Sequence, residues 1–287
     1  MSRLQLFAVT AAGPQPCPVS ATATDFTDLY AGLHLGVYTS LRTFHHNQFL
    51  DLAHHLARTV NSMRLLGWEY ELDEPRLRHA LDQLCRAYPT PELRVRIDVL
   101  AEPATLLGVD SRELIALMPF TPLAPTYYTE GVAVGFAAQL QRQNPLIKVA
   151  EFALQRKQAE QADALYEHLL LNEQGEILEA TSANFYAVRD GLFYTAGAGV
   201  LAGVTRGILL QLVQGAGIPL KLQAIHTNEL ATLDEAMISS SSRGILPVVR
   251  IGDQPIGNGR PGPVTQQLIR AYGDYVEAHI QPAIEAS

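Results

Sequence analysis

The sequence predicts an α+β fold, and three observations lead to this class. Strand-like and helix-like segments follow one another irregularly, without the regular strand–helix–strand alternation of a doubly wound parallel sheet. The 287 residues are enough for one large domain or two medium ones. Hydrophobic residues make up 47% of the chain and charged residues 17%, which is typical of a globular protein with a substantial core and excludes a disordered chain.

Charge and cysteine content restrict the partners and the compartment. The formal net charge of -8 gives no support to binding of nucleic acid or of an anionic membrane, because both need a basic surface. Cys17 and Cys85 are too few for a disulfide framework and have no metal-ligand spacing, which favours a reducing compartment. No run of apolar residues is long enough to span a bilayer. We therefore expect a cytoplasmic protein.

The first clear elements form a strand followed by a helix. Residues 36–44 (GVYTSLRTF) nearly alternate in polarity, as a strand does, and the polar HHNQ after them indicates a turn. Apolar residues recur at helical spacing over 50–66. Asp51 is the expected N-cap of this helix, and Gly67 is its expected end.

A second helix and two strands complete the first half. The helix is expected over 74–88, where Pro89 stops it. Apolar and charged residues alternate over 93–101 (LRVRIDVLA), which predicts a strand with one face buried and one face in solvent. Residues 112–118 predict a further strand.

Prolines then separate the chain into two expected lobes. Pro119, Pro122 and Pro125 interrupt the sequence, so we expect a linker at 119–122 between lobes of 1–118 and 123–287. The second lobe contains further strand candidates at 131–140, 166–171, 185–188, 192–195 and 236–239, and helix candidates at 149–161, 205–215, 229–233 and from Val264 onward.

Two segments of the second lobe could bind an anion. Gly203-Val204-Thr205-Arg206 opens a helix, whose first N–H groups and dipole favour a phosphate, although Thr205 could equally be an ordinary capping residue. The serine run 239–242 follows an apolar strand and offers backbone and hydroxyl donors, although serine runs are more often plain loops.

Lys148 is a candidate nucleophile. It lies in NPLIKVAEF between apolar residues, an environment that favours amine chemistry, and the alternative is a lysine that extends into solvent from a strand end.

Six motifs in order resemble the fold-type IV pyridoxal-phosphate enzymes, which are the class IV aminotransferase family. This family includes branched-chain and D-amino-acid aminotransferases and aminodeoxychorismate lyase. The resemblance covers about 25–275. The motifs are GVYTSLRTF with HHNQF, the HLAR…NS helix, NPLIK, EATSANFY, GVTR, and SSSSRGILPV followed by the closing IGNG…GPVT.

The resemblance implies a site for pyridoxal 5'-phosphate in a cleft between the two lobes. Lys148 would be the Schiff-base lysine and the acid/base, and Glu179 would face the ring nitrogen. The expected phosphate ligands are Arg58, Val204, Thr205 and Ser241, the last of which matches the family position counted back from Pro247. Weaker substrate-pocket candidates are Tyr38, Ser40 and Arg94. No metal site is expected, because the histidine pairs lack zinc-helix spacing.

The expected reaction is transfer of an amino group between an amino acid and a 2-oxo acid, by a homodimer. Two alternatives stay open. Ser40 resembles the lyase branch, in which a hydroxyl at this position assists proton transfer, so a lyase that releases pyruvate is the nearest competitor. Glu151, three residues after the lysine, and Tyr38-Thr39-Ser40 in the first hairpin depart from the family pattern, which leaves room for a cofactor-binding protein without turnover. The sequence does not select the amino acid or its hand.

Overall fold

A computed structural model describes residues 4–30, 33, 36–137, 140, 142, 144–159 and 165–284. The chain divides into two compact units. The first draws on Met1–Thr121, Ile147–Leu154 and Ala278–Ser287, and the second on Pro122–Leu146 and Gln155–Glu277. Each unit combines a sheet with helices, so the predicted α+β class is confirmed.

Two segments belong to the first unit although the sequence assigns them to the lobe of 123–287. Residues 147–154 lie along the strand that contains Tyr38, where Tyr38 N–H donates to the Lys148 carbonyl at 3.0 Å and Ala150 N–H to the Gly36 carbonyl at 2.9 Å. Near the C-terminus, Ile280–Pro282 pairs antiparallel with Gln48–Leu50. Local composition carries no information about such contacts, because the partners are far apart in the chain.

The first unit contains one sheet and two long helices. Its strands are β1 (Gln5–Thr10), β2 (Gly13–Cys17), β3 (Val37–Phe44), β4 (Gln48–Leu50), β5 (Leu93–Val99), β6 (Glu113–Pro119) and β17 (Ile280–Pro282). Its helices are α1 (Leu52–Leu65) and α2 (Glu74–Ala87), with short 3-10 turns at Phe26–Tyr30 and Thr105–Leu107. The strand order is β17-β4-β3-β5-β6-β1-β2.

Both faces of this sheet are covered. Helices α1 and α2 pack on one face through an apolar cluster that includes Leu56, Leu81 and Ile97. The Phe26–Tyr30 turn packs on the other face, in a cluster that includes Leu6 of β1 and Leu114 of β6. The prediction that one face of β5 lies in solvent is therefore wrong: Arg96 and Asp98, on the charged face, are as buried as the apolar residues.

The second unit is built on a mixed sheet. Its strands are β7 (Val132–Phe136), β8 (Glu167–Leu171), β9 (Glu176–Ala180), β10 (Asn184–Arg189), β11 (Leu192–Tyr194), β12 (Leu220–Lys221), β13 (Ile225–His226), β14 (Glu235–Ser240), β15 (Gly244–Ile251) and β16 (Gln254–Pro255). Its helices are α3 (Thr126–Thr129), α5 (Val204–Gly215) and α6 (Pro263–His279), with a 3-10 turn at Thr227–Thr232. Helix α4 (Ala150–Ala159) contains the boundary between the units.

Most predicted elements are present, with shifted ends. The strand expected at 131–140 ends at Phe136, and residues 138 and 139 lie outside the described residues, as do 160 and 161 of the helix expected at 149–161. Asp51 occupies the N-cap position of α1, but its side chain makes no capping hydrogen bond; it contacts His54 instead. Gly67 ends α1 as expected, with a positive φ of 73°. Strands β1 and β2 were not predicted.

Within the described residues, no helix has both the length and the apolar character that a membrane span requires.

Candidate active site

In the first unit, helix α1 places Arg58 beside strand β3. Arg58 Nη2 donates to Thr39 Oγ1 at 2.9 Å, and the same hydroxyl pairs with His55 Nδ1 at 2.7 Å. His55 and Arg58 are three residues apart on α1, so both face the strand. Burial lowers the pKa of His55 well below its ordinary value, and the charges of Arg58 and Lys148 lower it further. A neutral His55 and Thr39 thus fix the guanidinium of Arg58.

Lys148 lies against the same strand, next to Tyr38. Its Nζ is 4.8 Å from the centre of the Tyr38 ring, and the bridge between Val37 and Val149 holds the backbone alongside β3. Ala150 and Ala153, both buried, pack against Tyr38. The small side chain at Ala153 therefore makes room for Tyr38. Glu151 points to solvent at the start of α4.

Ser40 and Arg94 lie further along β3 and β5. Ser40 is directly opposite Arg96 in the antiparallel register, and Arg94 is opposite Arg42. Arg94 Nη1 forms an ion pair with Asp25 at 3.0 Å and its guanidinium lies over the Phe26 ring. Arg96, which was not predicted from the sequence, contacts the Tyr38 ring through its guanidinium.

In the second unit, Glu179 is a buried carboxylate that accepts hydrogen bonds from three residues. Its Oε1 accepts from Arg142 Nε at 2.8 Å, and its Oε2 from Leu201 N–H at 3.1 Å and from Asn184 Nδ2 at 3.4 Å. Glu179 and Asn184 are opposite each other across the tight turn between β9 and β10, which explains their spacing of five residues. Neither Arg142 nor a role for Asn184 was predicted from the sequence.

The N-terminus of α5 follows Leu201 closely and is open. Its N-cap is Gly203, which has no side chain to satisfy the first amides. Among the described residues, the N–H groups of Val204 and Thr205 and the Thr205 hydroxyl have no acceptor or donor partner. Thr205 lies inside the helix, so it is not the capping residue that the sequence left as an alternative. This terminus has the geometry of an anion site.

Gly203 is required by close packing. A Cβ at this position would overlap the Asn184 amide oxygen. Asn184 in turn donates to the Leu201 carbonyl at 2.9 Å. The glycine therefore allows Asn184 to contact both the segment that precedes α5 and the Glu179 carboxylate.

Ser241 lies in the turn of the β14–β15 hairpin, not in a loose loop. The neighbouring Arg243 donates to Ser240 Oγ at 2.9 Å and to Ser182 Oγ at 2.6 Å, and it pairs with buried Glu167. Burial opposes the ionisation of Glu167, but Arg243 and the hydroxyls of Ser182 and Thr181 lower its pKa below the ordinary value. This ion pair joins the EATSAN turn to the serine turn.

The predicted residues thus fall into two groups, one in each unit. The first unit brings together Tyr38, Arg58 and Lys148 along the first half of β3. Ser40 lies on the same strand, whereas Arg94 forms an ion pair with Asp25. The second unit contains Glu179, Val204 and Thr205 around Leu201, and Ser241 in the β14–β15 turn.

A family model for amino-transferase class IV matches residues 36–251, well over half of the chain. The chain belongs to the class IV aminotransferase family. The described site groups lie inside the matched range, from Tyr38 to Ser241. Class IV aminotransferases use pyridoxal phosphate.

Individual class IV aminotransferases match only part of the chain in sequence. The D-alanine aminotransferase of Staphylococcus aureus (strain N315) is 33% identical over 112 residues, which cover 38% of this chain and 40% of the relative. That of Bacillus licheniformis is 34% identical over 114 residues, or 39% of this chain and 40% of the relative. The chain thus spans about two fifths of the length of these curated relatives.

Solved structures of class IV aminotransferases match the fold over nearly the whole chain. The putative branched-chain amino acid aminotransferase of Thermotoga maritima has a TM-score of 0.77 at 21% identity and covers 96% of both chains. The branched-chain aminotransferase of the archaeon Thermoproteus uzoniensis, solved with norvaline, has a TM-score of 0.75 at 21% identity and covers 98% of both chains. These matches confirm the fold-type IV prediction. Another similar branched-chain enzyme was solved with pyridoxamine 5'-phosphate.

The donor set fits pyridoxal phosphate. Glu179 is a buried carboxylate, the kind of acceptor that a protonated ring nitrogen requires. The open amides and hydroxyl at the start of α5 suit a phosphate. Arg58 is a fixed cation, and Lys148 is an amine on a short apolar segment.

Proposed function

We propose that this protein is a pyridoxal-phosphate-dependent aminotransferase that moves an amino group between an amino acid and a 2-oxo acid. One observation carries the proposal: the short segment 201–205 joins a buried carboxylate to an open helix N-terminus. Leu201 N–H donates to Glu179, and the unpaired donors of Val204 and Thr205 follow within four residues. A pyridine ring with a phosphate arm requires this pair of features.

Each residue has a proposed part. Glu179 would accept a hydrogen bond from the protonated ring nitrogen. Val204 and Thr205 would donate to the phosphate, and Arg58 and Ser241 would add to its binding. Lys148 would attach the cofactor and then move a proton at the substrate carbon. When bound, the cofactor supplies a conjugated ring that takes up the electrons released by loss of that proton.

The second unit supports the proposed role of Glu179 by pairing its charge. Arg142 lies 2.8 Å from Oε1, and the guanidinium is almost as buried as the carboxylate. Removing water strengthens the attraction between these charges. The ion pair fixes the position of the carboxylate, which would accept the hydrogen bond from a protonated ring nitrogen.

We further propose a cytoplasmic homodimer, as the family resemblance implies. Light scattering on the purified protein measures its mass directly, against 31.4 kDa for one chain. The lyase alternative is not favoured, because the similar proteins that match in sequence and fold are aminotransferases.

Lys148 provides the test of the function. We expect wild-type protein incubated with pyridoxal phosphate and then borohydride to carry the cofactor on Lys148, as peptide mass spectrometry would show. Lys148→Ala should carry none, whereas the control Lys157→Ala should behave as wild type. Attachment at Lys157, or none in the wild type, would contradict the proposal.

Turnover is tested with amino donors. D-alanine and L-leucine, each with 2-oxoglutarate, represent the donor classes named for the similar proteins. We expect glutamate to form from at least one of them. Release of pyruvate from aminodeoxychorismate without glutamate would instead favour the lyase, and attachment of cofactor without either product would favour binding without turnover.

A further inference from the structure

The serine turn that contains Ser241 is short and is fixed at both ends. It consists of residues 241–243, between Ser240 and Gly244, which are opposite each other in the β14–β15 pair. Gly244 has a positive φ of 64°, and a Cβ at this position would lie 3.0 Å from the Tyr272 ring of α6. The glycine therefore allows the turn to reverse tightly against α6.

Arg243, the last residue of this turn, contacts the residue that precedes the turn. Its Nε donates to Ser240 Oγ at 2.9 Å, and its backbone N–H donates to the Ser240 carbonyl at 3.3 Å. Its Nη2 reaches the EATSAN turn, where it donates to the Ser182 hydroxyl at 2.6 Å and to the Ser182 carbonyl at 3.3 Å. One guanidinium therefore connects the serine turn to a segment 61 positions earlier in the chain.

A buried carboxylate holds this guanidinium in place. Glu167 is 2% exposed and forms an ion pair with Arg243, with 3.4 Å between Oε2 and Nη1. The hydroxyl groups of Thr181 and Ser182 donate to the same carboxylate. The planar guanidinium thus binds acceptors on three segments of the second unit, which restricts its orientation and that of the turn to which it belongs.

We propose that Arg243 is a positioning residue of the phosphate site, which holds Ser241 where its hydroxyl can donate to the cofactor phosphate. This inference rests on the proposed function, in which Ser241 binds that phosphate. Arg243 lies two residues after Ser241 and fixes the turn through Ser240, on the other side of it. Its charge is paired with Glu167, so it acts through the turn and not as a ligand of the phosphate.

A fixed turn favours phosphate binding because less conformational freedom is lost when the ligand binds. Without the Arg243 side chain, the three residues of the turn adopt several conformations, and only some of them direct the Ser241 hydroxyl to the phosphate. The proposed contact of Glu179 with the ring nitrogen does not involve the serine turn. The effect of Arg243 should therefore fall on the phosphate and not on the pyridine ring.

The test compares pyridoxal phosphate with pyridoxal on cofactor-free protein. The Kd of pyridoxal divided by the Kd of pyridoxal phosphate measures what the phosphate contributes to binding. We expect Arg243→Met to reduce this ratio at least tenfold, since it costs a hydrogen bond to a charged group. The double variant Arg243→Met/Glu167→Gln should reduce the ratio equally, and it leaves no buried charge unpaired. Arg250→Gln is the matched control, because it removes an exposed arginine of β15, and it should keep the wild-type ratio.

Ser241→Ala separates positioning from a purely structural role. We expect Ser241→Ala to lower the ratio about as much as Arg243→Met does, and the combined variant Ser241→Ala/Arg243→Met to lower it no further, because Arg243 acts through Ser241. A structural ion pair would instead weaken the binding of both compounds equally and leave the ratio unchanged. An unchanged ratio in Arg243→Met, or a further tenfold loss in the combined variant, would overturn the inference.

Inorganic phosphate gives a readout that is independent of cofactor attachment. In calorimetry on cofactor-free protein, phosphate should bind wild type and Arg250→Gln at least tenfold more tightly than Arg243→Met and Arg243→Met/Glu167→Gln. Equal binding by wild type and these variants, or no binding by the wild type, would contradict the positioning role. Failure of cofactor attachment to Lys148 would instead refute the proposed function, since phosphate binding does not depend on it.

Discussion

At the scale of single residues, the site depends on charges that the fold holds in fixed positions. Glu179 is held by Arg142, Leu201 and Asn184, whereas Arg58 is held by Thr39 beside a neutral His55. Arg142 and Leu201 lie outside the recognised motifs, whereas Asn184, Thr39 and His55 lie inside them. Substitutions that remove these charges should therefore affect cofactor binding and proton transfer to different extents.

Glu179→Gln tests the role of the carboxylate charge. The amide keeps the size of the side chain but cannot stabilise a positive ring nitrogen, so we expect the cofactor to bind while proton transfer slows at least tenfold. That factor corresponds to about 1.4 kcal/mol of transition-state stabilisation. Single-turnover kinetics with an accepted amino donor measures the step. A wild-type rate would show that Glu179 is not the partner of the ring nitrogen.

His55 predicts how stability depends on pH. Its pKa in the folded protein is far below the ordinary value of 6.5, so the unfolded chain binds a proton that the folded chain does not. The free energy of unfolding should therefore decrease as the pH falls below 6.5, by up to about 1.4 kcal/mol per pH unit for this group.

Urea unfolding at several pH values measures this decrease. In His55→Gln the free energy of unfolding should fall less steeply between pH 6.5 and 5. The difference in slope should correspond to about one proton, or about 1.4 kcal/mol per pH unit. His79→Gln, at an exposed histidine on α2, provides the matched control variant. An identical slope in His55→Gln would mean that His55 takes up its proton in the folded state.

At the scale of elements, side-chain hydrogen bonds link the start of α5 to the β9–β10 turn. Asn184 connects them, since its amide reaches both the Leu201 carbonyl and Glu179. A similar connection joins β14 to α6, where Glu235 accepts from the N–H groups of Val264 and Thr265 at 3.0 and 2.7 Å. The GPVT part of the closing motif therefore forms the start of α6, and Glu235 caps it.

Gly203, the N-cap of α5, and Gly207 within the helix give a matched pair of substitutions. In Gly203→Ala the new Cβ would displace Asn184, so we expect weaker cofactor binding and a loss of roughly 1–3 kcal/mol in the free energy of unfolding. Gly207→Ala meets no atom within 4 Å and should instead stabilise the helix by about 0.5–1 kcal/mol.

Cofactor titration and urea unfolding of both variants distinguish the two effects. Equal cofactor affinity in Gly203→Ala and Gly207→Ala would show that the N-terminus of α5 does not bind the phosphate.

At the scale of the whole molecule, the proposed cofactor-binding groups belong to both compact units. Arg58 and Lys148 lie in the first unit, and Glu179, Val204, Thr205 and Ser241 in the second. If one cofactor engages both groups, its binding free energy adds to the stability of the entire chain. A ligand at 100 times its Kd stabilises a protein by about 2.7 kcal/mol.

Thermal unfolding tests this coupling. Pyridoxal phosphate should raise the midpoint by several degrees, and pyridoxal without its phosphate should raise it much less. Arg58→Ala should reduce the effect of pyridoxal phosphate, because it removes a charge-assisted contact of about 1.5–3 kcal/mol. An equal rise with both compounds would argue against a phosphate site.

The sequence by itself determined the fold class, the family and the order of the motifs. Helix α1, the β3 strand and the helix at GVTR were predictable because spacing, turns and glycines act over a few residues. The candidate roles of Lys148, Glu179 and Arg58 came from the same local patterns, compared with those of a known family.

The tertiary structure alone decided which residues support these groups. Arg96 and Ser40 are 56 positions apart in the numbering, and only the register of β3 against β5 places them opposite each other. The ion pair of Arg142 with Glu179 and the return of 147–154 to the first unit are also contacts between distant segments. Such contacts depend on how strands align and on which charges are buried together, and no local pattern encodes either.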